Sequence, residues 1–120
     1  MKKRDWQVVD RLARYWVEQR TDDTEVRRLV SYLRQLIQRG EAMAGYRMFE
    51  YVRVLKMNGA AMQRSNQTTV HYEEICEGFE EFLEDYRGEP QRLLEVLGWT
   101  GRVMRYYKGG KEVGSRKAER

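Results

Sequence analysis

The chain of 120 residues has the length of one domain, and its 12% aromatic content can fill a single modest core. Charged residues make up 35% of the chain, and no apolar run reaches the roughly 18 residues that a membrane span needs. The net charge of +4 is divided into basic blocks at residues 1–64 and 90–120 around an acidic block at residues 65–89. The single cysteine excludes an internal disulfide, and we expect a cytoplasmic protein with no membrane contact.

The first two predicted helices cover about residues 5–20 and 25–39. Apolar residues recur along each of them at intervals of three and four, which is the spacing of one helix face. Asp23 or Thr24 is the predicted N-cap of the second helix, and Gly40 is its predicted C-terminal stop. The predicted buried faces consist of Trp6, Val9, Ala13 and Trp16 in the first helix, and of Val26, Leu29, Val30, Leu33, Leu36 and Ile37 in the second.

The third predicted helix, about residues 46–67, includes YVRVLKMNGAAMQRSN, a stretch without an acidic residue. At about 100° per residue, Arg53, Lys56 and Arg64 fall on one side of it, and Ala60 lies between them. Met48, Tyr51, Leu55 and Met62 fall on the opposite side. An outward stripe of cations around a small residue indicates a surface against which a sugar–phosphate chain can lie.

The fourth predicted helix, about residues 70–87, has glutamates on its solvent face, and the fifth begins at Pro90. Residues 109–120 are rich in glycine and in charge, so they are predicted to form a flexible tail after a helical domain of residues 1–108. The predicted fold class is therefore all-α, a compact bundle of about five helices with a disordered basic C-terminal tail.

Binding is the function that the composition favours. One histidine and one cysteine are too few for a zinc site, and no phosphate loop or nucleophile–base pair is present, so we expect no metal, no cofactor and no catalysis. Basic residues with interleaved tyrosines suit contact with a phosphate backbone, without reading of the bases. The predicted RNA-binding residues are Arg53, Lys56 and Arg64 as the main contacts, with Arg27, Arg34, Arg105 and Lys108 as flanks.

Three stretches resemble, in order and spacing, the small α-helical subunit of type III-A (Csm) CRISPR effector complexes. They are DDTEVRRLVSYLRQL at residues 22–36, the acid-free stretch quoted above, and LLEVLGWTGRVMRYYKGGKE at residues 93–112. Met57 and Asn58 stand where that family has an aromatic residue. The resemblance implies a non-catalytic subunit that lines the channel of guide and target RNA, stacks with its own copies in a filament and contacts other subunits of the complex.

Two alternatives remain open on the sequence. RSNQTTVH places Arg64 seven positions before His71, which resembles the Arg-to-His motif of HEPN ribonucleases and implies an RNA-cleaving enzyme or toxin, although Ser65 departs from that motif. The other alternative is a purely structural adaptor or antitoxin whose acidic fourth helix docks onto a basic protein. For such an adaptor, the basic stripe is dispensable.

Overall fold

Five α-helices make up nearly all of the described chain, and no β-strand occurs among the described residues. The structure is a computed structural model that describes the backbone of residues 1–61 and 66–119 and the side chains of residues 1–58 and 72–109. The helices are α1 (Lys3–Glu18), α2 (Asp23–Gln38), α3 (Ala44–Ala61), α4 (Asn66–Phe82) and α5 (Pro90–Glu119), with a 3-10 turn at Glu84–Tyr86. This architecture confirms the predicted all-α bundle.

Local capping explains where α2 begins and ends. Asp22 Oδ1 accepts a hydrogen bond of 2.8 Å from the backbone N–H of Thr24, so the N-cap is Asp22 and the prediction of Asp23 or Thr24 was wrong by one or two residues. Gly40 has a φ of 76°, the left-handed conformation that ends a helix, as predicted. Pro90 is the first residue of α5, where its missing N–H costs no helical hydrogen bond.

The hydrophobic core lies where α5 packs against α1 and α2, and α3 and α4 pack together beside it. Each buried leucine-sized side chain stabilises the fold by about 1.5–3 kcal/mol relative to exposure. The predicted faces of α1 and α2 are confirmed with one large exception, Trp6, which is 42% exposed. Buried residues from these helices and their partners include Val9, Leu12, Ala13, Trp16, Val26, Leu29, Leu33, Phe79, Leu83, Leu93, Leu97 and Met104.

Helix α3 buries a wider surface than the predicted face: Met48 is fully buried as predicted, and Leu55 is partly buried against the core. Phe49 and Val52 are buried, whereas Tyr51 is only partly buried and stacks on Tyr32 of α2 with ring centroids 4.0 Å apart. Because α3 contacts both α2 and α4, its apolar residues are spread over two sides, and a single stripe does not describe them. Met62, predicted on the inner face, lies outside the described residues.

Helices α1 and α4 approach each other closely at Gly78. The Trp16 indole is fully buried there and donates its Nε1–H to the backbone oxygen of Glu74 at 3.0 Å. A Cβ atom at position 78 would lie only 2.4 Å from Trp16 Nε1. The absence of a side chain at Gly78 is therefore required for this packing.

A buried carboxylate joins the start of α1 to the 3-10 turn and to α5. Asp5 Oδ1 accepts hydrogen bonds from the Tyr86 hydroxyl at 2.6 Å and from Arg92 Nη2 at 2.8 Å, and Oδ2 accepts from the backbone N–H of Lys2 at 2.9 Å. These bonds, first among them the one from Tyr86, hold the pKa of Asp5 below its ordinary value. Asp5 is therefore ionised at neutral pH although its side chain is only 3% exposed.

Two predictions concern the chain as a whole: the boundary between domain and tail, and the lack of a membrane-spanning segment. The boundary between a helical domain of residues 1–108 and a flexible tail of residues 109–120 stays a prediction, because α5 extends to Glu119 and the side chains from residue 110 onward lie outside those described. In the part of the chain that the structure describes, no helix is both long and apolar enough to cross a membrane.

Candidate nucleic-acid interface

A groove between α2 and α5 brings together four arginines. Its volume is about 240 Å³, and its lining consists of Arg27, Val30, Ser31 and Arg34 from α2 and of Gly98, Arg102 and Arg105 from α5. We call this the arginine groove. Its lining holds no acidic residue, so its two walls present guanidinium groups to whatever occupies it.

Helical spacing explains why these arginines meet. Arg27 and Arg34 lie seven residues apart, which places them on one flank of α2 beside its buried stripe. Gly101 lies on the buried side of α5, where the Cβ it lacks would be 3.6 Å from Val26 Cγ1, so α5 comes close to α2. Gly98 faces open space, which leaves the floor of the groove flat.

One carboxylate contacts three of the cations at the end of the groove. Asp23, with its side chain 16% exposed, lies 3.9 Å from Arg27 Nη2, 3.7 Å from Arg105 Nε and 3.4 Å from Lys108 Nζ. Lys108 also donates a hydrogen bond of 2.9 Å to the backbone oxygen of Thr21. One negative charge is shared among three positive ones, which leaves a positive excess at this end of the groove.

The other two arginines of the groove make no ion pair with any described residue. Arg34 is exposed on α2, and Arg102 places its guanidinium 4.7 Å from the centre of the Trp99 ring. Both are therefore available to an anion without the loss of an ion pair among the described side chains.

Of the predicted main contacts, Arg53 lies away from the arginine groove. Arg53 is exposed and lines a separate depression beside α3, together with Tyr46, Phe49 and Arg87. This depression shares no lining residue with the arginine groove. Lys56 is half-buried. Arg64 lies outside the described residues, so the predicted stripe of three cations stays a prediction.

The predicted flanking residues, by contrast, form one site. Arg27, Arg34 and Arg105 line the same groove, and Lys108 joins them through Asp23. The prediction omitted Arg102, although its place three residues before Arg105 on one helix was a usable signal.

Cys76 was predicted to be a small core residue, and the structure buries it. Burial, and then a hydrogen bond of 3.2 Å from Sγ to Glu80 Oε1, raise the pKa of the Cys76 thiol to about 11. Lys56 and Arg53 act on this pKa in the opposite direction but do not outweigh these two causes. The thiol is protonated at neutral pH and is a poor nucleophile.

The side chains of Arg64 and His71, the two residues of the HEPN-like alternative, are not among those described. Arg64 lies outside the described residues, and of His71 only the helical backbone is described. The HEPN-like alternative therefore stays a prediction. Among the described residues, no group of three His, Cys, Asp or Glu side chains is placed to hold a metal ion.

No family model matches the chain, and neither a curated protein nor a solved structure matches it. The resemblance to the Csm small subunit therefore stays a prediction that depends on the three stretches alone.

Proposed function

We propose that this protein binds the sugar–phosphate backbone of RNA in the arginine groove, without sequence specificity, as a non-catalytic small subunit of a type III CRISPR RNA-guided effector complex. The observation that carries the binding proposal is the convergence of four arginines from two helices on a lining without acidic residues. Guanidinium groups bind phosphate oxygens through paired, charge-assisted hydrogen bonds.

The dimensions of the groove suit a strand. Arg27 and Arg34 are separated by seven residues, which is about 10 Å along the helix axis. A stacked strand advances about 3.4 Å along its axis per nucleotide, so a strand parallel to α2 spans about three nucleotides over this distance. Arg102 and Arg105 line the opposite wall. A strand that runs between the walls contacts arginines from both helices.

The chemistry of the lining favours backbone contact over base recognition. Among the described residues that line the groove, Ser31 is the only polar side chain besides the arginines. Phosphate contacts fix the position of a strand but carry no sequence information. We therefore expect similar affinity for RNA strands of different sequence.

Membership of a CRISPR complex is supported by the three resembling stretches and by the charge distribution. Exposed glutamates cover α4, and none of them lines the arginine groove, which leaves an acidic surface for a basic neighbouring subunit. A few phosphate contacts per copy bind weakly at physiological salt, and repeated copies along one RNA add to the overall affinity. The acidic residues on this surface are Glu73, Glu77, Glu80, Glu81 and Glu84.

Reversal of the two unpaired arginines tests the groove. The double variant Arg34→Glu with Arg102→Glu is expected to weaken binding of a labelled RNA oligonucleotide by ten- to a hundredfold, or about 1.4–2.7 kcal/mol. For every phosphate that the variant no longer binds, the slope of log affinity against log salt should also fall by about 0.7–0.9. Fluorescence anisotropy over a salt series measures both quantities.

The matched comparison is the double variant Arg53→Glu with Arg64→Glu, which makes the same change of charge at the predicted stripe. The groove assignment requires this pair to have the smaller effect. The reverse order would place the RNA on α3 instead. No change in either double variant would contradict RNA binding by these cations altogether.

Complex membership is tested by affinity purification of the tagged protein from its own cells. We expect it to co-elute with RNA whose sequence shows CRISPR spacers joined to repeat-derived ends. The Arg34→Glu, Arg102→Glu variant should still assemble but should crosslink less to target RNA. If the protein is recovered without guide RNA from cells that produce guide RNA, membership of the complex is contradicted. RNA binding by the groove is then still decided by the anisotropy series.

A further inference from the structure

Two of the three tryptophans form an exposed pair. Trp16 is fully buried, whereas Trp6 is 42% and Trp99 is 38% exposed. The rings of Trp6 and Trp99 meet edge to face, with centroids 5.0 Å apart and an interplanar angle of 65°. The described residues cover only part of each of these two rings, and the rest of each ring faces solvent.

The tryptophan pair lies at the edge of the arginine groove. Trp99 follows Gly98 of the groove floor, and the Arg102 guanidinium lies both in the groove lining and 4.7 Å from the Trp99 ring centre. Tyr106, which is 73% exposed, follows Trp99 by seven residues and so shares its face of α5. We call Trp6, Trp99 and Tyr106 the aromatic edge.

We infer that the aromatic edge stacks on unpaired bases of the strand whose phosphates lie in the arginine groove, so that the ligand is single-stranded nucleic acid. This inference rests on the proposed function. A positively charged groove for the backbone, with aromatic rings on which bases stack, is the combination with which proteins hold single strands irrespective of sequence. In a duplex each base is already stacked and paired, and its face is not accessible to Trp99.

Arg102 links the two parts of this site. Its guanidinium lies over the Trp99 ring and makes no ion pair with a described residue. A phosphate in the groove attracts the guanidinium, and a base stacks on the part of the Trp99 ring that the guanidinium leaves exposed. Backbone and base contacts at Arg102 and Trp99 therefore fall on the same nucleotide or on adjacent ones.

Charge complementarity favours a nucleic acid over a protein as the occupant. The groove beside the rings presents four guanidinium groups and, besides Val30 and Gly98, no apolar residue. A protein contact of comparable strength needs a broad apolar centre. A strand of alternating anionic phosphates and flat bases matches both the arginine groove and the aromatic edge.

The test replaces Trp99 with leucine and compares three probes of equal length: an oligouridylate, an abasic oligonucleotide and a blunt-ended duplex. We expect Trp99→Leu to weaken the oligouridylate about tenfold, within the range measured for one stacked base. Binding of the abasic probe and of the duplex should change less than twofold, because both contact the phosphates alone. Circular dichroism and thermal unfolding verify that the variant is folded.

Tyr106→Leu is a second variant for which loss of folding is not a concern, because Tyr106 is 73% exposed. It should weaken the oligouridylate severalfold, whereas Tyr46→Leu, at an exposed tyrosine of α3 outside the groove, should not. Oligouridylate should also quench the tryptophan fluorescence of the native protein. That quenching should be reduced in Trp99→Leu and largely absent in the Trp6→Leu, Trp99→Leu double variant, because Trp16 is fully buried.

The outcomes separate the two proposals. Unchanged oligouridylate binding in Trp99→Leu and Tyr106→Leu, together with weaker binding in the Arg34→Glu, Arg102→Glu variant, overturns the stacking inference and leaves the proposed function in place. Equal weakening for the oligouridylate and the abasic probe overturns it as well. If the aromatic variants change self-association of the protein but not RNA binding, the edge is a protein contact and the inference is wrong.

Discussion

Replacing Gly78 with alanine is expected to lower the free energy of unfolding by about 3 kcal/mol, although alanine is the better helix former. The new Cβ would lie 2.4–2.8 Å from three atoms of the Trp16 indole. That ring is fully buried and is held by its hydrogen bond to the Glu74 backbone, so it has no free space into which to move. Urea denaturation followed by circular dichroism measures the change.

Two controls make this prediction specific. Gly98→Ala, also within a helix but with no atom within 4 Å of the new Cβ, should stabilise the protein by about 0.5–1 kcal/mol. In a Trp16→Phe background, Gly78→Ala should cost at least about 1 kcal/mol less, because the smaller ring leaves room. Additive effects of the two substitutions would show that the indole is not the obstacle.

The Asp5→Asn variant is expected to lose about 2 kcal/mol of stability at pH 7, because Arg92 then lacks its buried charged acceptor. The folded-state pKa of Asp5 lies below the unfolded value. Its contribution is therefore fully present above the unfolded pKa of about 4 and disappears as the pH falls through the folded pKa. Urea unfolding at pH 7 and at pH 3 should show a smaller difference between variant and native protein at the lower pH.

The control is Asp85→Asn, the same substitution in the exposed ion pair with Arg4. Exposed pairs contribute about 0–1 kcal/mol, so this variant should lose little stability at either pH. An Asp5→Asn variant as stable as Asp85→Asn at pH 7 would contradict the role assigned to the buried network.

Much of the fold follows from local signals in the sequence. The apolar stripe of α2, the left-handed Gly40 and the first position of Pro90 are each decided by neighbours within one or two turns, and each prediction is confirmed. Helix α3 differs because two neighbouring helices bury different sides of it, which no periodicity within one segment shows. Trp6 follows the α1 spacing, yet its side chain is 42% exposed and packs against Trp99.

The candidate site was only partly predictable for a related reason. Helical spacing placed Arg27 and Arg34 on one flank, but it could not show that α5 would bring Arg102 and Arg105 opposite them. That neighbourhood depends on which helices pack together, and the close contact at Gly101 is a property of the tertiary structure. The acid-free stretch of α3 was the more conspicuous signal in the sequence, yet Arg53 within it lines a different surface.

Asp23 has a consequence for how strongly any anion is held. It already neutralises part of the charge of Arg27, Arg105 and Lys108, so an incoming phosphate competes with it for these three partners. Net affinity is then a difference between two sets of electrostatic contacts, one internal and one external. The same carboxylate links the first turn of α2 to α5 and limits how strongly the groove binds an anion. The stability of the fold and the affinity for the ligand therefore make opposite demands on Asp23.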